Sequence, residues 1–209
     1  MKAAGRRAGV ALAFVALIIA ADLASKAWIF DWLGEREAVL PRDLHGHPRW
    51  PLAGEWLALM RNLNYGMAFG QGEDLPWVLV GGRIVAAFLL AWLIVRAPLE
   101  ARLYRISLVL ILGGALGNLW DNLARPIPPA GGRPFGPVRD FIDVYFPFWD
   151  WHFPTFNVAD SCITVGAVFL LLSGFGARAR QTAEGPEAGA APDPGGTRDL
   201  QGASEPSPE

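Results

Sequence analysis

The sequence predicts an all-α membrane protein with four transmembrane helices, a small extracytoplasmic cap that contains β-structure, and a disordered C-terminal tail. Hydrophobic residues make up 52% of the 209 residues, and the mean hydropathy is +0.27, which is high for a soluble domain. These residues are gathered into four blocks, each near the ~20 residues that a helix needs to cross a bilayer. The C-terminal stretch consists mainly of Gly, Pro, Ala, Ser and acidic residues, which bury too little apolar surface to fold.

The four apolar blocks predict a membrane domain at residues 9–176, with helices at about 9–30, 76–96, 104–121 and 158–176. A backbone surrounded by hydrocarbon must satisfy its own hydrogen bonds, so helices are the expected structure. Residues 1–8 precede the first helix, and residues 177–209 form the predicted tail. A cleaved signal peptide is the alternative for the first block, but the block continues through Asp22 and Lys26, which makes it long for such a peptide.

Basic residues predict the orientation of the helices. They precede the first block, crowd the link between the second and third blocks, and follow the fourth block: Lys2, Arg6, Arg7, Arg96, Arg102, Arg105, Arg178 and Arg180. Short segments rich in Lys and Arg stay in the cytoplasm, so four spans place both termini there. The two outer loops also carry arginines, but these loops are longer and their arginines are more dispersed.

The two outer loops are expected to build the extracytoplasmic cap. In the first loop, residues 56–60 are apolar and compatible with a β-strand, and Asn64-Tyr65-Gly66 is a turn signal. The second loop, residues 122–157, is rich in Pro and Gly and then in aromatic residues, a composition typical of a membrane interface.

Several other function classes have little support. A net charge of −2 provides no basic field for nucleic acid, and the single cysteine, Cys162, excludes an internal disulfide and a cysteine-based metal cluster. Cys162 also lacks an evident base. His45, His47 and His152 are expected to have ordinary loop or interface roles, although His152 could support Asp160. We expect no metal, no organic cofactor and no nucleic-acid partner.

Ionisable residues occur near the ends of the apolar blocks, where each costs on the order of 2.5–3.5 kcal/mol even on the mild insertion scale. Asp22 and Lys26 lie four residues apart on one helix face, so they either neutralise each other or support a nearby site. Asn118 and Asp121 close the third block on one face, where they serve either packing and interfacial capping or a polar site.

Asp140 and Asp160 form the strongest candidate pair. Asp160 stands three residues after Asn157, so these two residues also fit a capping box at the start of the fourth helix. Two nearby carboxylates raise one pKa and share a proton. The ionised member can deprotonate a water while the protonated member polarises a peptide carbonyl, which is acid–base peptide hydrolysis. A capping role and a catalytic role for Asp160 are compatible.

Five strings resemble, in the same order, those of signal peptidase II, a family of bacterial membrane aspartyl proteases. They are Asp22-Leu-Ala-Ser-Lys26, Asn64-Tyr-Gly-Met-Ala-Phe-Gly70, Gly113-Gly-Ala-Leu-Gly-Asn-Leu-Trp-Asp121, Val138-Arg-Asp-Phe-Ile-Asp143 and Phe156-Asn-Val-Ala-Asp-Ser161. Each string alone is weak, but all five stand at the edges of the apolar blocks, and the resemblance covers about residues 9–176.

The resemblance implies an aspartic-type endopeptidase that removes signal peptides from diacylglyceryl-modified prolipoproteins, cleaving before the lipidated cysteine. By resemblance, Asp140 and Asp160 are catalytic. The implied supporting or substrate-binding residues are Asp22, Lys26, Asn64, Asn118, Asp121 and Asn157. The implied protein lies in the bacterial inner membrane as a monomer, with its active site near the extracytoplasmic face and with lipids and the lipidated precursor as partners.

Three features depart from the family pattern. The family usually has Arg after the aspartate that ends the third string, where this chain has Asn122; Arg125, Arg133 or Arg139 could replace it. The connection that follows is longer and richer in Pro than usual. Arg139 directly precedes Asp140, and this cation could lower the pKa of that carboxyl group if its side chain points that way.

Two other functions are also compatible with the sequence. A small proton-coupled transporter subunit would need acidic residues near the middle of several helices, whereas here they cluster at the outer ends. A non-catalytic lipoprotein-binding homologue is the second alternative, because Asn122 departs from the family pattern.

Overall fold

A computed structural model describes residues 2–43, 46–66, 72, 74–125 and 133–183, with side chains described between residues 9 and 174 of those ranges. The chain divides into two units, Met1–Gly174 and Phe175–Glu209. The described elements are α1 (Lys2–Arg36), β1 (Arg49–Ala53), β2 (Leu57–Asn64), α2 (Pro76–Arg96), α3 (Arg102–Ala124), β3 (Val138–Phe146), β4 (Trp151–Phe156) and α4 (Val158–Ala183).

Three described helices are long and apolar enough to cross a membrane. The first covers Gly9–Val39, which is the apolar part of α1 and the three residues after it, and the other two are α2 and α3. The apolar part of α4, Val158–Gly174, is shorter. The predicted bounds 76–96 coincide with α2, whereas α1, α3 and α4 continue past the predicted ends. The residues that flank an apolar block can continue the helix, because Arg, Lys, Glu and Ala are good helix formers whether or not they are apolar. The tail from residue 184 lies outside the described residues.

Helix α3 is the central helix of the bundle. Only 6% of the apolar window of α2 is buried inside the protein, against 44% of that of α3, so α2 presents most of its apolar surface outward. Val15 of α1 and Ala87 of α2 pack with Leu112 of α3 in one buried cluster. An outward apolar surface of this kind suits contact with lipid tails.

Glycines on α3 allow its neighbours to approach closely. A Cβ atom added to Gly117 would lie 2.6 Å from Oδ2 of Asp22 on α1, and one added to Gly113 would lie 2.8 Å from Ile18. On another side of α3, a Cβ atom at Gly114 would collide with the carbonyl oxygen of Ala159 on α4. Small residues at a helix interface permit this contact in membrane bundles.

The outer loops form one antiparallel sheet of four strands in the order β1-β2-β3-β4. The first loop supplies β1 and β2; the apolar stretch at residues 56–60 predicted β2 but not β1. The second loop supplies β3 and β4, which the sequence analysis did not identify as strands. The expected small β-containing cap is therefore present as an antiparallel sheet beside the helices.

A hydrophobic cluster joins the sheet to the end of α1. Ile29, Phe30 and Leu33 of α1 pack with Leu40 and with Phe141 of β3, and all five side chains are buried. This contact holds the start of β3 against the helices. Because Asp140 precedes Phe141 on that strand, the cluster also fixes where this carboxyl group lies.

Candidate active site

Two carboxyl groups from different elements line one cavity of about 520 Å³. Asp140 lies on β3 and is 1% exposed, and Asp160 lies in the first turn of α4 and is half-buried. The apolar side chains that line the cavity with them include Val138, Phe153, Phe156, Ile163 and Val165. The cavity therefore combines a polar end with an apolar wall.

Asn157 connects the two carboxyl groups. Its Nδ2 donates to Oδ1 of Asp140 at 2.7 Å, and its Oδ1 accepts from the backbone N–H of Asp160 at 2.9 Å. The backbone N–H of Asn157 donates in return to Oδ2 of Asp160 at 3.2 Å. This reciprocal pair is the predicted capping box. Asp160 caps α4 with one oxygen and leaves the other available for the site.

Two further amides complete the shell around the carboxyl groups. Nδ2 of Asn64, at the end of β2, donates to Oδ2 of Asp140 at 3.0 Å. Nδ2 of Asn118 on α3 donates to Oδ1 of Asp160 at 2.8 Å. Each carboxyl group thus accepts hydrogen bonds from neutral amides, which orient it without adding a charge.

A charged quartet of Asp22, Lys26, Asp121 and Arg139 lies behind these amides. Nζ of Lys26 is 2.7 Å from Oδ2 of Asp22 and 3.4 Å from Oδ2 of Asp121, and all three side chains are fully buried. Arg139 donates to both oxygens of Asp121, with its Nη2 at 2.7 Å from Oδ1. Two anions and two cations balance, which is the condition under which buried charges are tolerated.

Hydrogen bonds made by Lys26 and Asp22 of α1 connect the quartet to the carboxyl pair. Lys26 also donates to Oδ1 of Asn118 at 2.8 Å, so the amide that bonds Asp160 is itself fixed. Oδ1 of Asp22 accepts from the backbone N–H of Ala159 at 2.9 Å, which ties α1 to the first turn of α4. The structure thus brings all eight residues that the resemblance singled out into one hydrogen-bonded network.

Burial raises the pKa of Asp140 from 3.8 to about 7, and the negative charge of Asp160 adds to this effect. The condition under which Arg139 would lower this pKa, a side chain directed at Asp140, is not met. The side chain of Arg139 bonds Asp121 instead of Asp140. Neighbouring residues on a β-strand point to opposite faces, which separates Arg139 from the carboxyl group that follows it.

Arg83 is the residue that the sequence analysis missed. It lies on α2, lines the cavity with Asp140 and Asp160, and donates from Nη1 to Oδ1 of Asn122. None of the three arginines proposed to replace the family arginine makes this contact in the described structure. Arg139 bonds Asp121, and Arg133 lies over the ring of Tyr65. An arginine inside an apolar block was the available signal.

The sequence suggested that His152 could support Asp160, but the described structure places it in contact with Asp143 and Asp43. Its Nδ1 lies 2.7 Å from Oδ1 of Asp143, and its Nε2 lies 3.7 Å from Oδ2 of Asp43, beside a separate cavity on the sheet. His47 contacts the same Asp43 at 3.2 Å, and His45 lies outside the described residues. Cys162 is half-buried on α4. The ordinary structural role expected for His152 fits this placement in the cap.

Two solved structures, each described as a bacterial membrane enzyme structure obtained by the in meso method, share this fold. The one at 2.3 Å resolution has a TM-score of 0.65 and 19% identity, and the match covers 86% of this chain and 95% of that chain. The one at 1.9 Å resolution has a TM-score of 0.58 and 20% identity, with coverage of 79% and 92%. The chain is therefore a multi-pass membrane protein whose helices carry a β-sheet cap.

Sequence comparison defines the family. A family model described as signal peptidase (SPase) II matches residues 14–175. The lipoprotein signal peptidase of Yersinia enterocolitica is 34% identical over 171 residues, which are 80% of this chain and 87% of that protein. The corresponding protein of Cronobacter sakazakii is 36% identical over 167 residues, 77% of this chain and 86% of its own. The chain belongs to the signal peptidase II family and is a membrane protease of lipoprotein processing.

Proposed function

We propose that this protein is an aspartyl endopeptidase that removes the signal peptide from diacylglyceryl-modified prolipoproteins by cleaving before the lipidated cysteine. Asp140 and Asp160 are its catalytic pair. The observation that carries the proposal is the position of these two carboxyl groups on either side of Asn157, in one cavity with a polar end and an apolar wall. The family membership supports the substrate class.

The pair acts as a general acid and a general base. One carboxylate removes a proton from a water as the water oxygen attacks the carbonyl carbon of the scissile peptide bond. The other carboxyl group donates its proton to the carbonyl oxygen. The tetrahedral intermediate then collapses as a proton passes to the amide nitrogen and the C–N bond breaks. The products are a signal peptide with a new carboxyl terminus and a lipoprotein with a free α-amino group on its cysteine.

The environment of Asp140 supports a resting pair that carries one proton. Its pKa of about 7 keeps a proton available at neutral pH, because burial and the charge of Asp160 both disfavour a second negative charge. The pair is treated as one titrating unit, since strongly interacting acids share their protons. Asn64, Asn118 and Asn157 orient the pair, and Asp22, Lys26 and Asp121 support these amides.

The proposed arrangement in the membrane has four spans, with α4 as the fourth. Both termini then lie in the cytoplasm, and the sheet and the carboxyl pair lie near the extracytoplasmic face, where a precursor emerges after export. The basic residues between α2 and α3 support this orientation.

The test is cleavage of a diacylglyceryl-modified precursor by the purified full chain in detergent, with mass spectrometry to identify the products. We expect D140N and D160N each to abolish cleavage while the protein still folds. Asp150→Asn is the matched control, since Asp150 is an exposed cap residue with a φ of 44°, a conformation that asparagine also adopts. Near-normal cleavage by either variant of the pair would remove that residue from the mechanism.

A precursor without diacylglycerol tests the substrate class. We expect the purified protein to leave this precursor intact, because the apolar wall of the cavity is then unoccupied. Equal cleavage of both precursors would show that the lipid is not recognised, while leaving the roles of Asp140 and Asp160 unaffected.

A further inference from the structure

Helix α2 has one charged residue between its first residue and Val95, and that residue is Arg83. It lies seven residues after Pro76, which is about 10 Å along the helix from its start. A guanidinium group stays protonated in proteins, so it cannot reduce its cost at this depth by losing its proton. An arginine inside a membrane helix therefore calls for a specific role.

The contacts of Arg83 leave most of its donors unused. Its Nη1 donates to Oδ1 of Asn122, and no carboxylate oxygen of the described residues lies within 4.0 Å of its guanidinium group. Asn122 is itself fixed, because its Nδ2 donates to the carbonyl oxygen of Gly136 at 2.8 Å and its carbonyl oxygen accepts from Gly136 at 2.9 Å. Asn122 thus holds the guanidinium group in place without neutralising it.

Arg83 lies between two cavities, because it lines the cavity of the carboxyl pair and also a smaller cavity with Asn122 and Arg133. Arg83 lines the same cavity as Asp140 and Asp160, and it interacts electrostatically with both. The charged quartet is already balanced without Arg83, so this cation is not needed there. A planar group with unused N–H donors beside the reacting carboxyl groups is suited to bind a carbonyl oxygen of a bound peptide.

We propose that Arg83 is a substrate-binding residue, which donates hydrogen bonds to a main-chain carbonyl oxygen of the precursor next to the scissile bond. This inference rests on the proposed peptidase function. Asn122 is the positioning residue, because its Oδ1 accepts from Nη1 of Arg83 and so fixes one end of the guanidinium group.

The experiment compares KM and kcat for a diacylglyceryl-modified precursor peptide with the purified full chain in detergent. For Arg83→Gln and Arg83→Lys we expect KM to rise about tenfold or more, with kcat changing less, because a charge-assisted hydrogen bond to the bound peptide is lost or distorted. Arg96→Gln, at the far end of the same helix, is the matched control and is expected to leave both constants unchanged.

A relocated arginine separates binding from folding. In the double variant R83Q/N122R the cation comes from α3, and we expect most of the lost affinity to return. In R83Q/N122A, which lacks the cation, we expect no recovery. Thermal unfolding of each variant in the same detergent reports folding. If Arg83→Gln does not fold, the KM of Arg83→Lys tests the proposal.

The two hypotheses fail in different ways. If the wild-type protein leaves the lipidated precursor intact, the peptidase proposal fails. If the wild-type protein cleaves it and folded Arg83→Lys or Arg83→Gln keeps the wild-type KM, the role of Arg83 fails while the peptidase proposal stands. Loss of cleavage in Arg83→Gln that R83Q/N122R does not restore, with KM unchanged in Arg83→Lys, likewise overturns the role of Arg83.

Discussion

Asp140 is a carboxylic acid that keeps its proton near neutral pH. It is 1% exposed, and its oxygens accept hydrogen bonds from Asn64 and Asn157. Those two bonds favour the ionised form, but burial and the charge of Asp160 outweigh them, and the pKa rises to about 7. The balance of these effects sets the pH range in which the pair can act.

The raised pKa predicts how activity depends on pH. In the proposed mechanism, the pair holds the proton that the carbonyl oxygen needs below about pH 7, whereas above that pH both carboxyl groups are ionised. We therefore expect kcat to fall as pH rises through about 7 and to lose about tenfold per pH unit beyond that point. A pH profile of kcat with saturating lipidated precursor measures this, and a rate that stays constant between pH 7 and 9 would contradict it.

Lys26 provides the second residue-scale prediction. It is fully buried between Asp22 and Asp121. Substitution of Lys26 by Met leaves the carboxylate of Asp22 without its cation, and we expect a loss of stability of roughly 3–5 kcal/mol. Thermal unfolding in detergent measures the change.

The double variant D22N/K26M is the control for this prediction. It removes both charges, so we expect it to recover part of the stability that Lys26→Met loses. A single variant as stable as the wild-type protein would mean that Asp22 does not depend on Lys26.

At the scale of elements, α3 joins the site together. Asn118, Asp121 and Asn122 all come from its last two turns, and its glycines set how close α1 and α4 approach. The same helix therefore supplies polar contacts and the space in which the other helices make theirs. Packing and site geometry are coupled here because close helix approach brings Asp22 and Ala159 into bonding distance.

Gly117 tests this coupling. A Cβ atom there would lie 2.6 Å from Oδ2 of Asp22, so Gly117→Ala must displace the Asp22–Lys26 pair or push α1 away. We expect a loss of about 1–3 kcal/mol in stability and a lower kcat, since Lys26 also orients Asn118.

Gly82→Ala is the matched control for Gly117→Ala. Gly82 lies on α2, and nothing lies within 4 Å of a Cβ atom added there. We expect this variant to keep wild-type stability and activity. Equal behaviour of the two variants would show that the contact between α1 and α3 tolerates a methyl group.

At the scale of the whole molecule, the bundle and the sheet contribute one carboxyl group each. Asp160 belongs to a helix of the bundle, and Asp140 belongs to the sheet that packs on the end of α1. The site therefore lies at the boundary between the membrane helices and the cap. A water-requiring reaction on a lipid-anchored peptide needs such a boundary, because the lipid and the water come from different sides.

The number of spans decides where the termini lie. Three described helices are long enough to cross, and α4 has a shorter apolar part. If α4 crosses as well, we expect both termini to be cytoplasmic. A fluorescent protein fused after Glu209 should then fluoresce, and alkaline phosphatase inserted after Trp149 should be active. An active phosphatase fused after Glu209 would mean that α4 does not cross.

The helices and several site residues could be predicted from the sequence. Runs of apolar residues predicted α2 at its observed bounds and α3 within three residues, whereas α1 and α4 extend up to seven residues beyond the apolar runs. The length of an apolar run is a local property. The capping box of Asn157 and Asp160 was predicted for the same reason, since both partners lie within one turn. The remaining site residues were predicted from the resemblance to the signal peptidase II family.

Strands β3 and β4 were not predicted from the sequence, although buried positions largely alternate along Val138–Phe146, as is typical of a strand with one buried face. Strand β3 is stabilised by pairing with β2, from a loop more than seventy residues earlier, as the contact of Asn64 with Asp140 illustrates. Strand β4 pairs in turn with β3. Arg83 was missed because its role depends on Asn122, on a different helix.

The sequence by itself determined the membrane class, the four helical segments and the chemical types available at their ends. Only the tertiary structure decided that Asp140 meets Asp160 across Asn157, that Arg139 pairs with Asp121, and that Arg83 enters the cavity. The physical reason is range. Hydropathy and capping act between residues that are close along the chain, whereas these contacts depend on strand register and on helix approach over glycines, which many distant residues set together.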